Sequence, residues 1–160
     1  MKRCAVFLFA MIVAGAAQAA AAETMRVDYY HTGNSKEERF SLDRIVIEPL
    51  PWAGNPSRPV DGTNLGKYFF EVVDAQSGAT LYSRGFSSIY GEWETTAEAG
   101  AMNRTFSESL RFPAVEKPAR VVVKKRDAKN AFQPVWTLAV NPGDKFIVRG
   151  ASPAPAGALL

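Results

Sequence analysis

The sequence contains very little cysteine and histidine, and this scarcity excludes several kinds of site. Its 160 residues include one Cys, Cys4, and one His, His31. One residue of each type cannot form a disulfide framework or a zinc site built from His and Cys. The two-His helical motif of zinc peptidases, H-E-x-x-H, is excluded as well. No P-loop, helix-opening G-x-G-x-x-G or G-x-S-x-G elbow occurs, so we predict no cofactor.

The first 19 residues have the layout of a secretory signal peptide. Lys2 and Arg3 form a positive start, residues 5–14 are apolar and uncharged, and Ala17-Gln18-Ala19 offers an A-x-A cleavage site. The apolar run is shorter than the ~20 residues that span a bilayer. We therefore expect cleavage near Ala19, no stable membrane anchor afterwards, and export to the periplasm or the extracellular space.

The chain after this segment is nearly neutral and ends in a linker-like stretch. Lys2 and Arg3 account for two of the three net positive charges, so the formal net charge falls from +3 to +1 and gives no case for nucleic-acid binding. Cys4 is removed with the signal peptide, so the chain that remains has no cysteine for a disulfide. A packed core must therefore supply its stability. Residues 150–160 are rich in Pro, Gly and Ala and form a tail or linker. We assign residues 20–149 to one domain.

Alternation with a period of two dominates that domain and predicts β-strands. Phe40 to Leu50 is one such strand. The alternation of its apolar residues is interrupted at Asp43-Arg44, which predicts a bulge or a change of sheet there. Residues 67–74 and 80–86 form the clearest hairpin. The one helical candidate is 95–102. We predict an all-β protein, an antiparallel β-sandwich of about eight or nine strands with at most one short helix.

Two charges fall on apolar faces of predicted strands. Glu108 alternates with Phe106 and Leu110, and Arg84 alternates with two aromatic side chains. Because an unpaired buried charge costs several kcal/mol, the simplest hypothesis is a structural ion pair between Arg84 and Glu108. The alternative is that a bulge lets both charges reach solvent.

Other chemical groups admit competing interpretations. Glu92 and Glu94 would share one face of a strand, which suits glycoside hydrolysis or Ca²⁺ binding, although a solvated pair explains them equally well. His31 lies at a strand end, where a lone His is usually a surface or hydrogen-bonded residue. The basic run Lys124-Lys125-Arg126 fits a solvated hairpin tip. Most aromatic residues should be core, whereas Trp52 in a Pro-rich loop is the best candidate for an exposed contact.

Four longer segments carry a resemblance to a known family. They are residues 25–33, 66–70, 81–96 and 103–113. Together they resemble the N-terminal domain of the bacterial IgA-peptidase family of secreted zinc metallopeptidases, over roughly Thr24 to Arg149. The resemblance implies a β-sandwich that precedes a zinc catalytic domain. In that family the zinc ligands and the general base lie in the second domain, so no catalytic residue can be transferred to this chain.

These observations lead to one functional hypothesis and two alternatives. We expect a non-enzymatic accessory domain that docks to a metallopeptidase catalytic domain or presents a protein substrate to one. Its candidate docking residues are Trp52, Tyr90, Glu92, Trp93 and Glu94. The first alternative is a carbohydrate- or glycoprotein-binding module. The second is a triad or glycosidase-like enzyme, which requires His31, Glu92 or Glu94 to line a deep pocket.

Overall fold

The structure, a computed structural model, describes residues 22–150 and shows two stacked four-stranded sheets. The first sheet has the order β5-β1-β2-β8 and the second β4-β3-β6-β7. All neighbouring strands are antiparallel except β2 and β8. The predicted all-β fold is confirmed. The elements are β1 Glu23–Gly33, β2 Glu38–Pro51, β3 Tyr68–Asp74, β4 Thr80–Phe86, α1 Ile89–Trp93, a 3-10 helix Glu98–Gly100, β5 Arg104–Pro113, β6 Ala119–Arg126, β7 Phe132–Val140 and β8 Val148–Arg149.

The alternating apolar residues of these strands meet between the two sheets. In β1 the buried hydrophobic side chains are those of Met25, Val27 and Tyr29, and in β6 they are those of Ala119, Val121 and Val123. Successive side chains of a strand point to opposite faces, so each strand contributes every second residue to the core. The aromatic part of this core consists of Tyr29, Tyr68, Phe70, Tyr82 and Phe112.

The irregularity predicted in β2 is a β-bulge. Asp28 pairs with Arg44 while the next residue, Tyr29, pairs with Leu42, so Asp43 is the extra residue. Because of this extra residue, the apolar side chains before and after the bulge point to the same face of the sheet. Phe40 and Ile45 therefore both pack on the core, although their sequence separation would place them on opposite faces of a regular strand.

The helix prediction for residues 95–102 is wrong in position. The α-helix α1 begins after Ser88, whose Oγ accepts a hydrogen bond from the N–H of Gly91 at 2.9 Å. Serine is a favoured N-cap because it satisfies one of the free N–H groups of the first turn. Residues 98–100 form only a single 3-10 turn. α1 covers one side of the sandwich and buries Tyr90 and Trp93 in a second small core with Ala99 and Phe106.

Two predicted segments lie outside the described residues. The signal peptide at residues 1–19 and nearly all of the tail at residues 150–160 are not described. Within residues 22–150, no helix is long and apolar enough to cross a membrane.

The packing of Phe112 predicts a large loss of stability on truncation. Phe112 is fully buried between the sheets, so Phe112→Ala should lower the free energy of unfolding by about 3–5 kcal/mol. Phe146→Ala is the matched control, because Phe146 is mostly exposed and should change it by about 0.5 kcal/mol or less. Urea unfolding measures both, and similar losses in the two variants would contradict this core.

Candidate functional site

The single histidine lies in the interior, between two carboxylates. The Nε2 atom of His31 is 2.9 Å from Oε2 of Glu38, and its Nδ1 atom is 3.2 Å from Oε2 of Glu108. His31 belongs to β1, which lies between β2 and β5 in the first sheet. Its inward position follows from alternation, since Tyr29 two residues earlier is also buried. The three side chains thus join three neighbouring strands across their inner faces.

This geometry favours the positively charged form of the imidazole. A neutral imidazole has one N–H and can donate to one carboxylate only, whereas the imidazolium donates to both. Burial lowers the pKa of His31, but the hydrogen bonds to Glu108 and Glu38 outweigh it and leave the pKa raised. Burial raises the pKa of each carboxyl, yet the hydrogen bond from His31 and further donors lower the pKa of Glu38 and of Glu108 overall.

The cluster extends from Glu38 into the second sheet. Glu38 accepts a hydrogen bond of 2.8 Å from the hydroxyl of Tyr68 and lies 3.1 Å from Nζ of Lys125. Lys125 is also 2.8 Å from Oε2 of Glu94, whose Oε1 lies 2.6 Å from Nζ of Lys67. We call the residues His31, Glu38, Lys67, Glu94, Glu108 and Lys125 the buried charge network. It contains three carboxylates and three cations, so its formal charges cancel when His31 is protonated.

The buried charge network also holds α1 in place. The backbone N–H of Tyr90 donates to Oε1 of Glu108 at 3.2 Å, and the ring of Tyr90 stacks on His31 at 3.8 Å. Lys67 donates to the carbonyl of Gly91 at 2.7 Å. A Cβ atom on Gly91 would lie 2.8 Å from the ring of Tyr68, so this close approach requires glycine. The polar contacts of the network and the position of α1 therefore depend on each other.

The network is not arranged for catalysis by His31. The side chain of His31 is fully buried, and both ring nitrogens already contact carboxylates. A general base must reach a proton of the substrate, and here neither nitrogen is accessible. The two carboxylates also lie on opposite sides of the ring and cannot share a metal ion with it. Across residues 22–150, no group of three His, Cys, Asp or Glu side chains is placed to hold a metal ion.

The predicted ion pair between Arg84 and Glu108 is wrong, although both residues occupy the inner-face strand positions that alternation assigned. Arg84 stands opposite Phe70 and Glu108 stands opposite Tyr29. β4 and β5 belong to different sheets, and β4 is an edge strand. Arg84 turns outward and donates to the carbonyls of Arg58 and Ser83 at 3.0 Å. Glu108 bonds instead to His31 and to the hydroxyl of Tyr29 at 2.9 Å.

The candidate docking residues do not form one exposed surface. Tyr90 and Trp93 are 0% and 8% exposed, so neither can contact a partner without rearrangement. Glu94 belongs to the buried charge network, and Glu92 is exposed. Because these residues form a helix and its C-cap, Glu92 and Glu94 are not strand neighbours on one face. Trp52 is half-buried and meets Tyr82 edge-on, with ring centroids 5.5 Å apart.

Sequence reasoning missed most of the buried charge network. Lys125 follows Val121 and Val123 in β6 at a spacing of two residues. Alternation alone therefore places its side chain on the inner face. His31 likewise continues the series Met25, Val27 and Tyr29. The signal was therefore present, but His31 lies near the strand end and Lys125 lies in a basic run, and both positions suggested solvent exposure.

A comparison with protein families finds one match that covers most of this structure. A family model described as Peptidase M64 N-terminus matches residues 17–137. The matched region contains every residue of the buried charge network and confirms the resemblance predicted from the sequence. No curated protein matches the chain.

The charges of the network predict a stability maximum at mildly acidic pH. The pKa values of Glu38 and Glu108 are depressed below 4.5, so their contribution is lost as the pH falls below that value. The pKa of His31 is raised above 6.5, so its contribution is complete below pH 6.5 and is lost as the pH rises through the folded-state pKa. The buried tyrosines Tyr29, Tyr68 and Tyr90 add a separate loss only above pH 10.

Replacing the histidine should remove the decline in the free energy of unfolding between neutral and alkaline pH. His31→Gln leaves the buried carboxylate of Glu108 without a cationic partner and leaves Glu38 with Lys125 alone, so it should lower the free energy of unfolding by about 3–5 kcal/mol at pH 6. Urea unfolding across the pH range should show a flat profile for this variant between pH 6.5 and 10, where the wild type declines. Glu92→Gln is the exposed control and should behave as wild type. Parallel profiles for wild type and His31→Gln would show that His31 does not titrate as assigned.

Proposed function

The chain belongs to the Peptidase M64 N-terminal family, and from this premise we propose that it is a non-catalytic accessory domain that docks to a metallopeptidase catalytic domain. The observation that carries the proposal is that the match covers the N-terminal part of such a peptidase. We further propose that the domain is exported by the signal at residues 1–19 and acts in the periplasm or outside the cell.

The use of its ionisable groups supports a non-catalytic role. The one imidazole is enclosed by Glu38, Glu108 and the rings of Phe40 and Tyr90. These contacts fix the register of three strands and the position of α1. The hypothesis of a triad or glycosidase-like enzyme required His31, Glu92 or Glu94 to line a deep pocket. His31 is completely buried, Glu94 bonds to Lys67 and Lys125, and Glu92 is exposed on α1, so the alternative has less support.

An exposed apolar edge supports docking. Phe146 and Val148 are 78% and 50% exposed, and we call these two residues the exit edge. Val148 lies on β8, which pairs with β2, and Phe146 precedes it by two residues. β8 is the last strand that the structure describes, so a domain following it in the same polypeptide would be tethered beside the exit edge. Apolar side chains grouped at one edge are typical of a protein contact surface.

The carbohydrate-binding alternative has less support. Such a module commonly offers several aromatic rings on one open face. Among the tyrosines and tryptophans of residues 22–150, Tyr30 alone is strongly exposed, at 41%. A single ring on a strand gives one stacking position, so we retain docking as the proposed function.

Binding to a catalytic domain tests the docking proposal. The full chain should bind the purified catalytic domain of an M64-family peptidase in calorimetry, and the double variant Phe146→Ser/Val148→Thr should weaken binding by roughly tenfold or more. Leu65→Ser removes an equally exposed leucine away from the exit edge and is the matched control. No binding by the wild-type chain would end the docking proposal, and equal binding by both variants would exclude the exit edge.

An activity measurement tests the non-catalytic part of the proposal. The purified full chain, supplied with zinc, should not hydrolyse a denatured protein substrate above the rate of a buffer blank. The same preparation of an M64-family catalytic domain serves as the positive control. Zinc-dependent hydrolysis that co-purifies with the chain and is abolished by a chelator would contradict the proposal.

A further inference from the structure

Exposed edges of β-sheets can pair with other chains, and this fold protects three of its four. Along β4, the N–H of Ser83 donates to the carbonyl of Pro59 at 3.0 Å and that of Gly85 donates to Oδ2 of Asp61 at 2.9 Å. β7 contains Pro134, which has no N–H to offer. At the far end of the first sheet, the edge strand β8 has only two residues, and β2 beside it carries the bulge at Asp43. A covering segment, a proline or a bulge commonly prevents an edge strand from pairing with another chain.

The edge of β5 has no bulge, and its one proline, Pro113, lies at its C-terminal end. β5 pairs with β1 over residues 104–113 without a register shift. The N–H of Ala114 donates to the carbonyl of Glu23 at 2.8 Å, and backbone groups of an antiparallel pair point alternately toward and away from the partner. The odd-numbered residues of β5 therefore direct their N–H and C=O groups away from β1. Four of them carry an N–H without a hydrogen-bond partner in the described chain: Thr105, Ser107, Ser109 and Arg111.

The side chains of these residues leave the edge open. All four residues are exposed. Thr105 Oγ1 lies 2.9 Å from Oγ1 of Thr32 on β1, Ser109 donates to Asp28 on β1 at 2.7 Å, and Arg111 lies 3.1 Å from Glu48 on β2. The three contacts run back over the outer face of the first sheet. None of them crosses the edge.

We propose that the β5 edge binds an extended, proline-free polypeptide segment as an added antiparallel strand. Four N–H groups and the matching C=O groups form a main-chain ladder, which binds an extended segment largely without regard to its sequence. The identity of this segment as a protein substrate rests on the proposed function, whereas the strand addition itself does not require a catalytic domain.

A second copy of this chain fits the edge less well. The register that pairs all four donors between two copies places residue 105 opposite 111 and residue 107 opposite 109. Glu108 then lies directly opposite Glu108 of the other copy. Like charges facing each other across a strand pair are destabilising, and an inward-pointing charge is a known barrier to edge association. Glu108 cannot avoid this by turning, because its oxygens already bond to His31, Tyr29 and Tyr90.

A labelled peptide tests the strand addition. The probe is a fluorescent nine-residue peptide of alternating threonine and valine with a glutamate at each end, and its binding to the full chain is followed by anisotropy. Ser107→Pro removes one outward N–H without touching the ladder to β1, and it should weaken binding roughly tenfold. Ser107→Thr keeps the N–H and is the matched control.

A second comparison keeps the test decisive where the proline variant does not fold. The same peptide with every internal amide N-methylated should not bind the wild-type chain, because it has no internal N–H on either edge with which to complete the ladder. Equal binding of the two peptides, equal binding by Ser107→Pro and Ser107→Thr, or no binding of the unmodified peptide up to about 1 mM would overturn the proposal. A dimer in analytical ultracentrifugation that Ser107→Pro abolishes would also overturn it, in favour of a second copy. None of these results depends on the exit edge, so docking can fail while strand addition holds.

Discussion

The buried imidazole of His31, held between the carboxylates of Glu38 and Glu108, is the constraint on which this domain depends. It lies where three strands of the first sheet, the second sheet and α1 meet. Removing charges from water costs more than a buried ion pair usually returns, so the network is weak evidence for net stability. It favours a single register, because a slip of one residue in β1 would turn His31 outward and leave Glu108 inside without a cationic partner.

Local pattern was sufficient to predict most of the architecture. Period-two alternation located the strands from β1 to β7, and the broken parity at Asp43-Arg44 marked the bulge that the structure contains. The same alternation placed Glu108 and Arg84 on inner faces. These features depend on residues within a few positions of each other. They could be predicted because side-chain direction in a strand is set by the chain itself.

Partner choice could not be predicted in the same way. Arg84 and Glu108 were matched because both needed an opposite charge, yet β4 and β5 are edges of different sheets, and each side chain found a nearer partner. Lys125 and Glu94 are 31 positions apart and meet only because α1 closes the side of the sandwich. The position of α1 depends on a serine cap and on aromatic stacking with His31. Such long-range contacts follow from the packing of complete sheets, which one sequence does not display.

The network also separates the domain's interior from its contact surfaces. His31 and the three carboxylates of the buried charge network bond to groups within the domain. Contacts with other molecules must therefore be made by exposed groups. The exit edge and the β5 edge lie at opposite ends of the strand order β5-β1-β2-β8. Strands in a sheet are spaced by about 4.8 Å, so the two surfaces are separated by roughly 14 Å. A partner on one edge therefore leaves the other free, and a polypeptide added beside β5 would be held on the same rigid sheet as a docked domain.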